Sequence, residues 1–368
     1  MTQIYLVDYL GVHCGMHYYL EAFRNVLSDV PNTNVNILSN YPNVGKEKPF
    51  FINQYRGNKL TKGIAFLKNL LKLKRFIKRH PKGIYIYLTY GNFIDLPFMK
   101  IVSQAQRHLI DIHEAIAQNV DANERLKHKF RQLYQARIRA VISHSTRTND
   151  FLNEYGYKAK RFSVPHFKYV FPKDYNFANT SKDILDAINT ERINLLFFGN
   201  LNESKGVDIL LESINLLEAN IADKLNIIIA GKDFDGAVDR IVPKTGRSVR
   251  IIRRHITDDE LRYLYQNVDY LSLPYRKTSQ SGILEMAFYF KRPIIASDIP
   301  YFRQMLTKFP SFGVLAGNTA DSYSKMLKEV VKKHGETTYY TPTDYNKYEN
   351  RSEIKTFISD FIMWLNIK

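Results

Sequence analysis

One polar segment between two apolar runs holds residue types suited to binding a phosphate. The stretch 268–298 contains an apolar run, a polar loop, a helical pattern over 281–290 and a second apolar run, which predicts strand, loop, helix and strand. Ser281 is a typical helix N-cap, and Gly282 lets a ligand approach the backbone. Because the first turn of a helix has free N–H groups, a phosphate cradle is predicted. It consists of Gln280, Ser281, Gly282 and Ile283.

Glu285 lies one turn inside the same predicted helix. Its carboxylate could accept hydrogen bonds from the hydroxyl groups of a ribose. The residues alone are equally consistent with an ordinary capped helix that binds nothing, so both interpretations stay open at this point.

A second candidate for phosphate binding is the lysine–glycine pair Lys205-Gly206. It follows the apolar run 194–198 and comes just before a helical pattern. A lysine in this position can place its ammonium group against a diphosphate. The alternative is a solvated lysine in a turn.

Three histidines follow predicted strands, namely His113, His144 and His166. The carboxyl ends of parallel strands share one edge of the sheet, where ligands bind. The spacing does not say which histidine acts. Gly15 ends a glycine-containing turn after the first predicted strand, but this turn lacks the GxGxxG fingerprint of dinucleotide sites.

The order of elements predicts an α/β protein with two doubly wound parallel sheets. The 368 residues are too many for one ordinary domain. Residues 1–170 are predicted as the first Rossmann-like domain, 171–192 as a linker and 193–345 as the second domain. The final helix, 351–368, is expected to pack back on the first domain.

The net charge of +17 indicates an anionic partner. A predicted amphipathic helix has Phe66, Leu70, Leu73 and Ile77 on one face and Lys68, Lys72, Arg75 and Arg79 on the other. This basic face suits the anionic lipids of a membrane. Nucleic acid is a weaker alternative because no recognition motif accompanies the charge. With no signal peptide and no apolar run of about 20 residues, the protein is expected in the cytoplasm, with peripheral attachment to the membrane.

Several of these segments resemble the family 4 glycosyltransferases, which are retaining enzymes with the GT-B fold of two Rossmann-like domains facing a cleft. Their donor-site segment is similar to Pro274-Tyr275, Gln280-Ser281-Gly282, Glu285 and 293–297 here. The resemblance implies a nucleotide diphosphate at the helix N-terminus and ribose at Glu285. The family usually has a second glutamate where this chain has Lys277, which implies altered recognition of the donor sugar.

The resemblance extends to other predicted site residues. The segment FFGNLNESKGVDILLESI is similar to the one that supplies an arginine and a lysine to the donor pyrophosphate. Lys205 matches the lysine, Asn200 stands at the arginine position, and Lys277 is the candidate to compensate. The segment HLIDIHEAIAQN implies that His113 lies beside the transferred sugar. Gly15 would face the cleft, and the turn at Ile256 would contact the nucleotide base through its backbone.

The resemblance thus predicts a retaining, metal-independent hexosyltransferase without a cofactor. The donor would be a nucleotide diphosphate sugar, with UDP favoured over GDP-mannose, and the acceptor a saccharide or lipid-linked saccharide of a surface polysaccharide. Lys205 and the helix start at Ser281-Gly282 would stabilise the departing phosphate. The alternative is a non-catalytic relative that binds carbohydrate or a membrane surface, suggested by Lys277 and Asn200.

Overall fold

The computed structural model describes most of the chain. The described residues are 1–11, 15–41, 48–114, 123–169, 171, 177–233, 236, 238–239, 241, 243–244, 248–278 and 280–366. The chain forms two compact units: unit 1 consists of 1–170 and 352–368, and unit 2 of 171–351. Among the described residues, no helix has the length and apolar character needed to cross a bilayer.

Unit 1 is built on a six-stranded parallel sheet in the order β2-β1-β3-β4-β5-β6. The strands are β1 (Thr2–Val7), β2 (Thr33–Leu38), β3 (Ile84–Thr89), β4 (Arg107–Ile112), β5 (Ala140–Ser143) and β6 (Lys160–Ser163). The helices are α1 (Met16–Ser28), α2 (Lys59–Arg79), α3 (Asp95–Val102), α4 (Glu124–Arg137) and α5 (Thr146–Glu154). All six residues of β3 are buried, as expected for a central strand covered on both faces.

Unit 2 repeats this architecture with the order β12-β11-β10-β7-β8-β9. Its strands are β7 (Ile193–Phe198), β8 (Leu225–Ala230), β9 (Val249–Ile252), β10 (Tyr270–Leu273), β11 (Ile294–Ser297) and β12 (Gly313–Ala316). Its helices are α6 (Lys182–Leu185), α7 (Val207–Asn215), α8 (Ala219–Ala222), α9 (Asp258–Asn267), α10 (Gly282–Tyr289), α11 (Pro300–Lys308), α12 (Ala320–Lys332) and α13 (Pro342–Glu349). The two parallel sheets confirm the predicted α/β class. The segment 171–192, predicted as a linker, lies within unit 2.

The last helix, α14 (Ser352–Asn366), belongs to unit 1 and packs on β6 and α1. Its contacts are aromatic: Phe162 meets Phe357 and Phe361 edge to face, with ring centroids 5.7 and 6.0 Å apart. Phe357 and Phe361 are also buried. Burial of these rings fixes the chain end on the sheet.

Helix α2 packs on unit 1 through a line of residues that differs from the predicted one. The buried residues are Ala65, Asn69, Leu73 and Ile77, so Leu73 and Ile77 lie on the buried face as predicted, whereas Phe66 and Leu70, predicted on the same face, are half-buried. The reason is Asn69, whose amide accepts from the backbone N–H of Ile52 at 2.9 Å and donates to its carbonyl at 2.8 Å. This double hydrogen bond satisfies a buried polar side chain and turns the helix towards it.

Candidate functional site

The topology of unit 2 identifies one edge of its sheet as a ligand site. Strands β7 and β10 are neighbours, but the chain continues from β7 towards β8 and β9 and from β10 towards β11 and β12. The loops after β7 and β10 therefore diverge at their carboxyl ends. Ligands of doubly wound sheets bind at such a switch point. The predicted residues Lys205, Ser281, Gly282 and Ile283 lie on these two loops or at the helix starts that follow them.

Two glycines let the loops pack closely. Gly206 has a left-handed backbone with φ of 70°, and a Cβ there would lie 1.9 Å from the carbonyl oxygen of Pro274. Gly199 has φ of 121°, and a Cβ there would lie 2.8 Å from Cδ1 of Ile283. Larger residues would separate the loop after β7 from the loop after β10.

Arg276 joins the same two loops. Its guanidinium donates to both carboxylate oxygens of Asp208, at 2.7 and 2.5 Å, and to the backbone carbonyl of Glu203 at 2.5 Å. Burial raises the pKa of Asp208, but hydrogen bonds and charge from Arg276 more than offset this and hold that pKa below its usual value. Sequence reasoning missed this bidentate pair because the two residues are 68 positions apart.

Lys205 is held in a defined place by these loops. Its backbone N–H donates to the side chain of Asn202 at 3.0 Å, and its ammonium nitrogen lies 3.9 Å from the centre of the Tyr275 ring. Tyr275 is completely buried. A cation over a fixed aromatic face is attracted to it, which favours this position of the Lys205 ammonium group.

The start of α10 has the predicted geometry of a capped helix. The Ser281 hydroxyl accepts from the backbone N–H of Leu284 at 3.4 Å. Gly282, Ile283 and Gln280 are half-buried, and the carbonyl of Gln280 accepts from the Thr278 hydroxyl at 2.6 Å. The N–H groups in the first turn of a helix have no intrahelical acceptor and carry its positive dipole end. This helix start can therefore bind an anion.

Glu285 lies deeper than the rest of the cradle. Its side chain is only 1% exposed and has a protein partner at each oxygen. The Tyr348 hydroxyl donates to Oε2 at 2.5 Å, and Nη1 of Arg351 lies 3.5 Å from Oε1. Tyr348 belongs to α13 and Arg351 follows just after that helix, and neither was predicted from the sequence as a partner of Glu285.

The remaining predicted donor residues are on the surface or in a neighbouring turn. Asn200 and Lys277 are exposed on the loops after β7 and β10, respectively. Ile256 is buried in the turn between β9 and α9. Next to it, Arg254 donates to Glu260 at 2.8 Å and to Asp183 at 2.9 Å. This network fixes the turn.

In unit 1 the switch point lies between β1 and β3, and a buried carboxylate occupies it. Asp8 accepts from the Tyr90 hydroxyl at 2.7 Å and from the backbone N–H groups of Leu10 and Gly11 at 3.0 and 2.6 Å. Burial raises the pKa of Asp8. Gly15 precedes α1 with φ of 66°. The three residues before Gly15 lie outside the described part of the chain.

The three predicted histidines meet around one tyrosine of unit 1. The Tyr19 ring centroid lies 4.2 Å from that of His113, 5.7 Å from that of His144 and 4.8 Å from that of His166. His113 itself is buried, and its backbone N–H donates to the carbonyl of Thr89 at 3.1 Å. The prediction that three strand ends deliver histidines to one edge is confirmed.

Asp111 connects this cluster and was missed from the sequence. Its carboxylate oxygens lie 2.7 Å from Nε2 of His144 and 3.6 Å from Nε2 of His113, and the Tyr19 hydroxyl donates to it at 2.7 Å. Burial raises the pKa of Asp111, but the charges of and hydrogen bonds from the two histidines more than offset this and lower it well below the usual range. The available signal was the spacing of Asp111 and His113, because residues two apart on a strand share a face.

The same residues are the candidate metal ligands among the described residues. One ligand atom each from Asp111, His113 and His144 lies within 4.8 Å of the others. Two histidines and a carboxylate suit a transition metal. However, the 2.7 Å between Asp111 and His144 is a hydrogen-bond distance, so these two groups bind each other in this structure.

The predicted basic face of α2 is largely on the surface. Lys68, Arg75 and Arg79 are exposed. Lys72 is exposed as well, but its ammonium group donates to the carbonyl of Phe50 at 2.5 Å and lies 4.6 Å from the centre of the Phe50 ring. One of the four predicted cations is thus held by the protein itself.

Comparison with known families agrees with the site in unit 2. Residues 192–333 match the family described as Glycosyl transferases group 1. This match confirms the resemblance drawn from the sequence, and it covers β7 to α12 with both loops of the switch point. No curated protein matches the chain in sequence.

Solved structures are similar over nearly the whole chain. Sucrose-phosphate synthase from Thermosynechococcus elongatus has a TM-score of 0.69 at 11% identity, covering 99% of this chain and 98% of that one. Anabaena Alr3699/HepE in complex with UDP and glucose has a TM-score of 0.66 at 11% identity, covering 99% of each. WaaG, a glycosyltransferase involved in lipopolysaccharide biosynthesis, has a TM-score of 0.64 at 12% identity, covering 99% and 100%. These likenesses confirm the predicted GT-B fold.

Proposed function

Starting from the group 1 glycosyltransferase domain of residues 192–333, we propose that this chain is a retaining glycosyltransferase. It takes a sugar from a nucleotide diphosphate sugar and transfers it to a saccharide or lipid-linked saccharide. The observation that carries the proposal is the fixed ammonium group of Lys205 on one loop of a switch point whose other loop leads into the capped start of α10. UDP is favoured as the nucleotide because the similar Anabaena protein is in complex with UDP and glucose.

The proposed chemistry places negative charge where unit 2 offers positive charge. The oxygen of an acceptor hydroxyl bonds to the anomeric carbon while the bond from that carbon to the phosphate oxygen breaks. The hydroxyl proton passes to the departing phosphate, which leaves as part of the nucleoside diphosphate. Lys205 and the N–H groups at Ser281-Gly282-Ile283 then stabilise that diphosphate. Because both are held in place beforehand, little reorganisation is needed in the transition state.

Lys277 is proposed to supply the positive charge for the pyrophosphate that the resembled family obtains from an arginine. In this chain Asn200 stands at the position of that arginine. Both side chains are exposed on the two loops of the switch point. A lysine at 277 can approach the pyrophosphate as a point charge. Reversing both residues together, Asn200→Arg with Lys277→Glu, tests this: nucleotide affinity is expected to fall for Lys277→Glu alone and to recover in the double variant.

His113 is proposed to hydrogen-bond the transferred sugar, with Gly15 leaving room for the ligand beside α1. The proposal for His113 is supported by its buried contact with Asp111. No metal or cofactor is needed in this scheme, because Lys205 and the start of α10 supply the positive charge. Transfer is accordingly expected to persist in EDTA.

An acceptor for surface polysaccharide is proposed from the resemblance, and the location in the cytoplasm stays a prediction from the sequence. The similar protein WaaG is involved in lipopolysaccharide biosynthesis. The non-catalytic alternative predicts that the chain binds saccharide without consuming any nucleotide sugar. It rests on Lys277 and Asn200 alone.

The first test is calorimetry with UDP, GDP, ADP and CDP, with and without magnesium. Tight binding of one nucleoside diphosphate by wild type, at least tenfold weaker in Lys205→Met, supports the site. Equal binding by the two proteins contradicts the role of Lys205. Absence of binding to all four nucleotides, together with no hydrolysis of UDP-sugars, favours the non-catalytic alternative.

The ribose contact of Glu285 is tested with modified nucleotides. If Glu285 accepts the ribose hydroxyls, the losses in affinity from Glu285→Gln and from 2′-deoxy-UDP or 3′-deoxy-UDP are not additive, because both remove one contact. Additive losses would show that Glu285 only supports the helix through Tyr348 and Arg351.

A further inference from the structure

The outward face of α2 is apolar at one end and basic at the other. Leu60, Ile64, Leu67 and Leu71 are 71, 44, 59 and 52% exposed. They are four of the ten large apolar side chains that the described residues expose. A soluble surface rarely concentrates apolar side chains in this way without a partner.

These four residues form one stripe, called here the leucine stripe. At 100° per residue they fall within an arc of about 60°. Along the same line, Lys74, Arg75 and Lys78 continue the face towards the helix end, and all three are exposed. Helix α2 contains no acidic residue. The stripe is not needed to hold the helix, because Ala65, Asn69, Leu73 and Ile77 pack on the opposite side.

A groove of about 410 Å³ lies at the basic end. It is lined by Lys74 and Lys78 of α2, by Gln104 and Gln106 after α3, and by apolar residues that include Ile101. Ammonium and amide groups donate hydrogen bonds, so the groove suits a phosphate bearing an apolar chain. The leucine stripe therefore suits the apolar chain of a molecule whose phosphate group the groove can bind.

Helix α4 of the same unit shows what an ordinary surface helix looks like here. It is also rich in cations, with Arg125, Lys129 and Arg137 exposed. Its large apolar residues Leu126, Phe130 and Leu133 are buried, and none of its residues is among the exposed large hydrophobics. Basic charge alone thus does not explain α2.

We propose that α2 docks unit 1 on an anionic phospholipid bilayer. The leucine stripe inserts among the acyl chains near the headgroups, while Lys74, Arg75 and Lys78 bind lipid phosphates. A helix lying in the interface has this combination of an apolar face and cations. The net charge of +17 favours an anionic surface as the partner. The docking needs no sugar donor, so it stands or falls independently of the proposed function.

The test is co-sedimentation with two kinds of vesicle. One kind contains phosphatidylcholine alone, and the other also contains phosphatidylglycerol at about 30 mol%. Wild type is expected to bind only the anionic vesicles, and less at high salt because exposed charges are screened. Two variants are expected to bind at least about tenfold less. One is Leu60→Ser/Ile64→Ser/Leu67→Ser/Leu71→Ser, and the other is Lys74→Gln/Arg75→Gln/Lys78→Gln.

The matched control is Arg125→Gln/Lys129→Gln/Arg137→Gln in α4, which removes three cations and should bind like wild type. Thermal unfolding of each variant checks that the fold is kept. Equal vesicle binding by wild type and the serine variant overturns the proposal. The proposal is also overturned if sedimentation velocity differs between wild type and the serine variant in a way that shows the leucine stripe joining two copies of the chain.

Discussion

The guanidinium of Arg351 lies 3.5 Å from the carboxylate of Glu285, and the two side chains are only 2 and 1% exposed. Glu285 stands near the start of α10, and Arg351 follows α13, so this pair ties the end of unit 2 to the phosphate cradle. Tyr348 adds a 2.5 Å hydrogen bond to the same carboxylate. The Glu285 carboxylate, to which the resemblance assigns ribose binding, is thus held by Tyr348 of α13 and by Arg351 just after that helix.

Arg351→Leu is expected to destabilise the protein by about 3–5 kcal/mol, because it leaves a buried carboxylate without its counter-charge. Urea unfolding measures the free energy. Adding Glu285→Gln should restore part of the loss. The exposed pair Lys182–Asp186, at 2.6 Å, is the control, and Lys182→Ala should cost about 0–1 kcal/mol. A loss as small for Arg351→Leu would contradict the importance of the buried pair.

Lys205→Met is expected to lower kcat for sugar transfer about 100-fold or more, since it removes a fixed cation from the developing negative charge. Lys291→Met is the matched control. Lys291 also lies over a ring, 4.0 Å from the centre of Tyr345, in the same unit. If Lys205→Met and Lys291→Met lose activity equally, the loss comes from removing any such cation and not from a contact between Lys205 and the donor. Initial rates with the donor identified by calorimetry decide this.

Gly206→Ala is expected to abolish nucleotide binding, because the new Cβ would lie 1.9 Å from the carbonyl of Pro274 and push the Lys205 loop away. Gly236→Ala is the control for backbone strain alone. Gly236 has φ of 67°, against 70° for Gly206, but no atom within 4 Å of the new Cβ. Calorimetry should find wild-type affinity in Gly236→Ala, and matching losses in both variants would contradict the proposed clash.

The sequence predicted the features of the site that depend on neighbouring residues. The predicted Ser281 cap is present, because a cap is a contact across one helical turn. The partners of Glu285 were not foreseen. Tyr348 is 63 residues away from Glu285 in the sequence. Such long-range pairs depend on tertiary packing, which periodicity does not report.

Asp111→Asn is expected to lower kcat by about 10–100-fold, as the loss of an orienting partner does elsewhere. An amide cannot accept from Tyr19 and His144 as the carboxylate does, so His113 would lose its place and the pH profile of kcat would shift. Asp95→Asn is the control, because Asp95 is buried in the same unit but accepts from Tyr87 at 2.8 Å and from two backbone N–H groups. It should cost stability without moving the pH profile. An unchanged profile in Asp111→Asn would leave Asp111 a merely structural role.

The Glu260 carboxylate should make part of the stability of unit 2 depend on pH. Burial raises the pKa of Glu260, but hydrogen bonds from Arg254, Ser181 and the backbone of Thr257 more than offset this and lower it from 4.5 to about 2. A lowered pKa in the folded state means that the stabilisation is complete above pH 4.5 and disappears as the pH falls towards 2. The difference in free energy of unfolding between wild type and Glu260→Gln should therefore be constant between about pH 6 and 7 and shrink below about pH 4.5. Urea unfolding of wild type and Glu260→Gln at several pH values measures this, and a difference that stays constant below about pH 4.5 would contradict the role of Glu260.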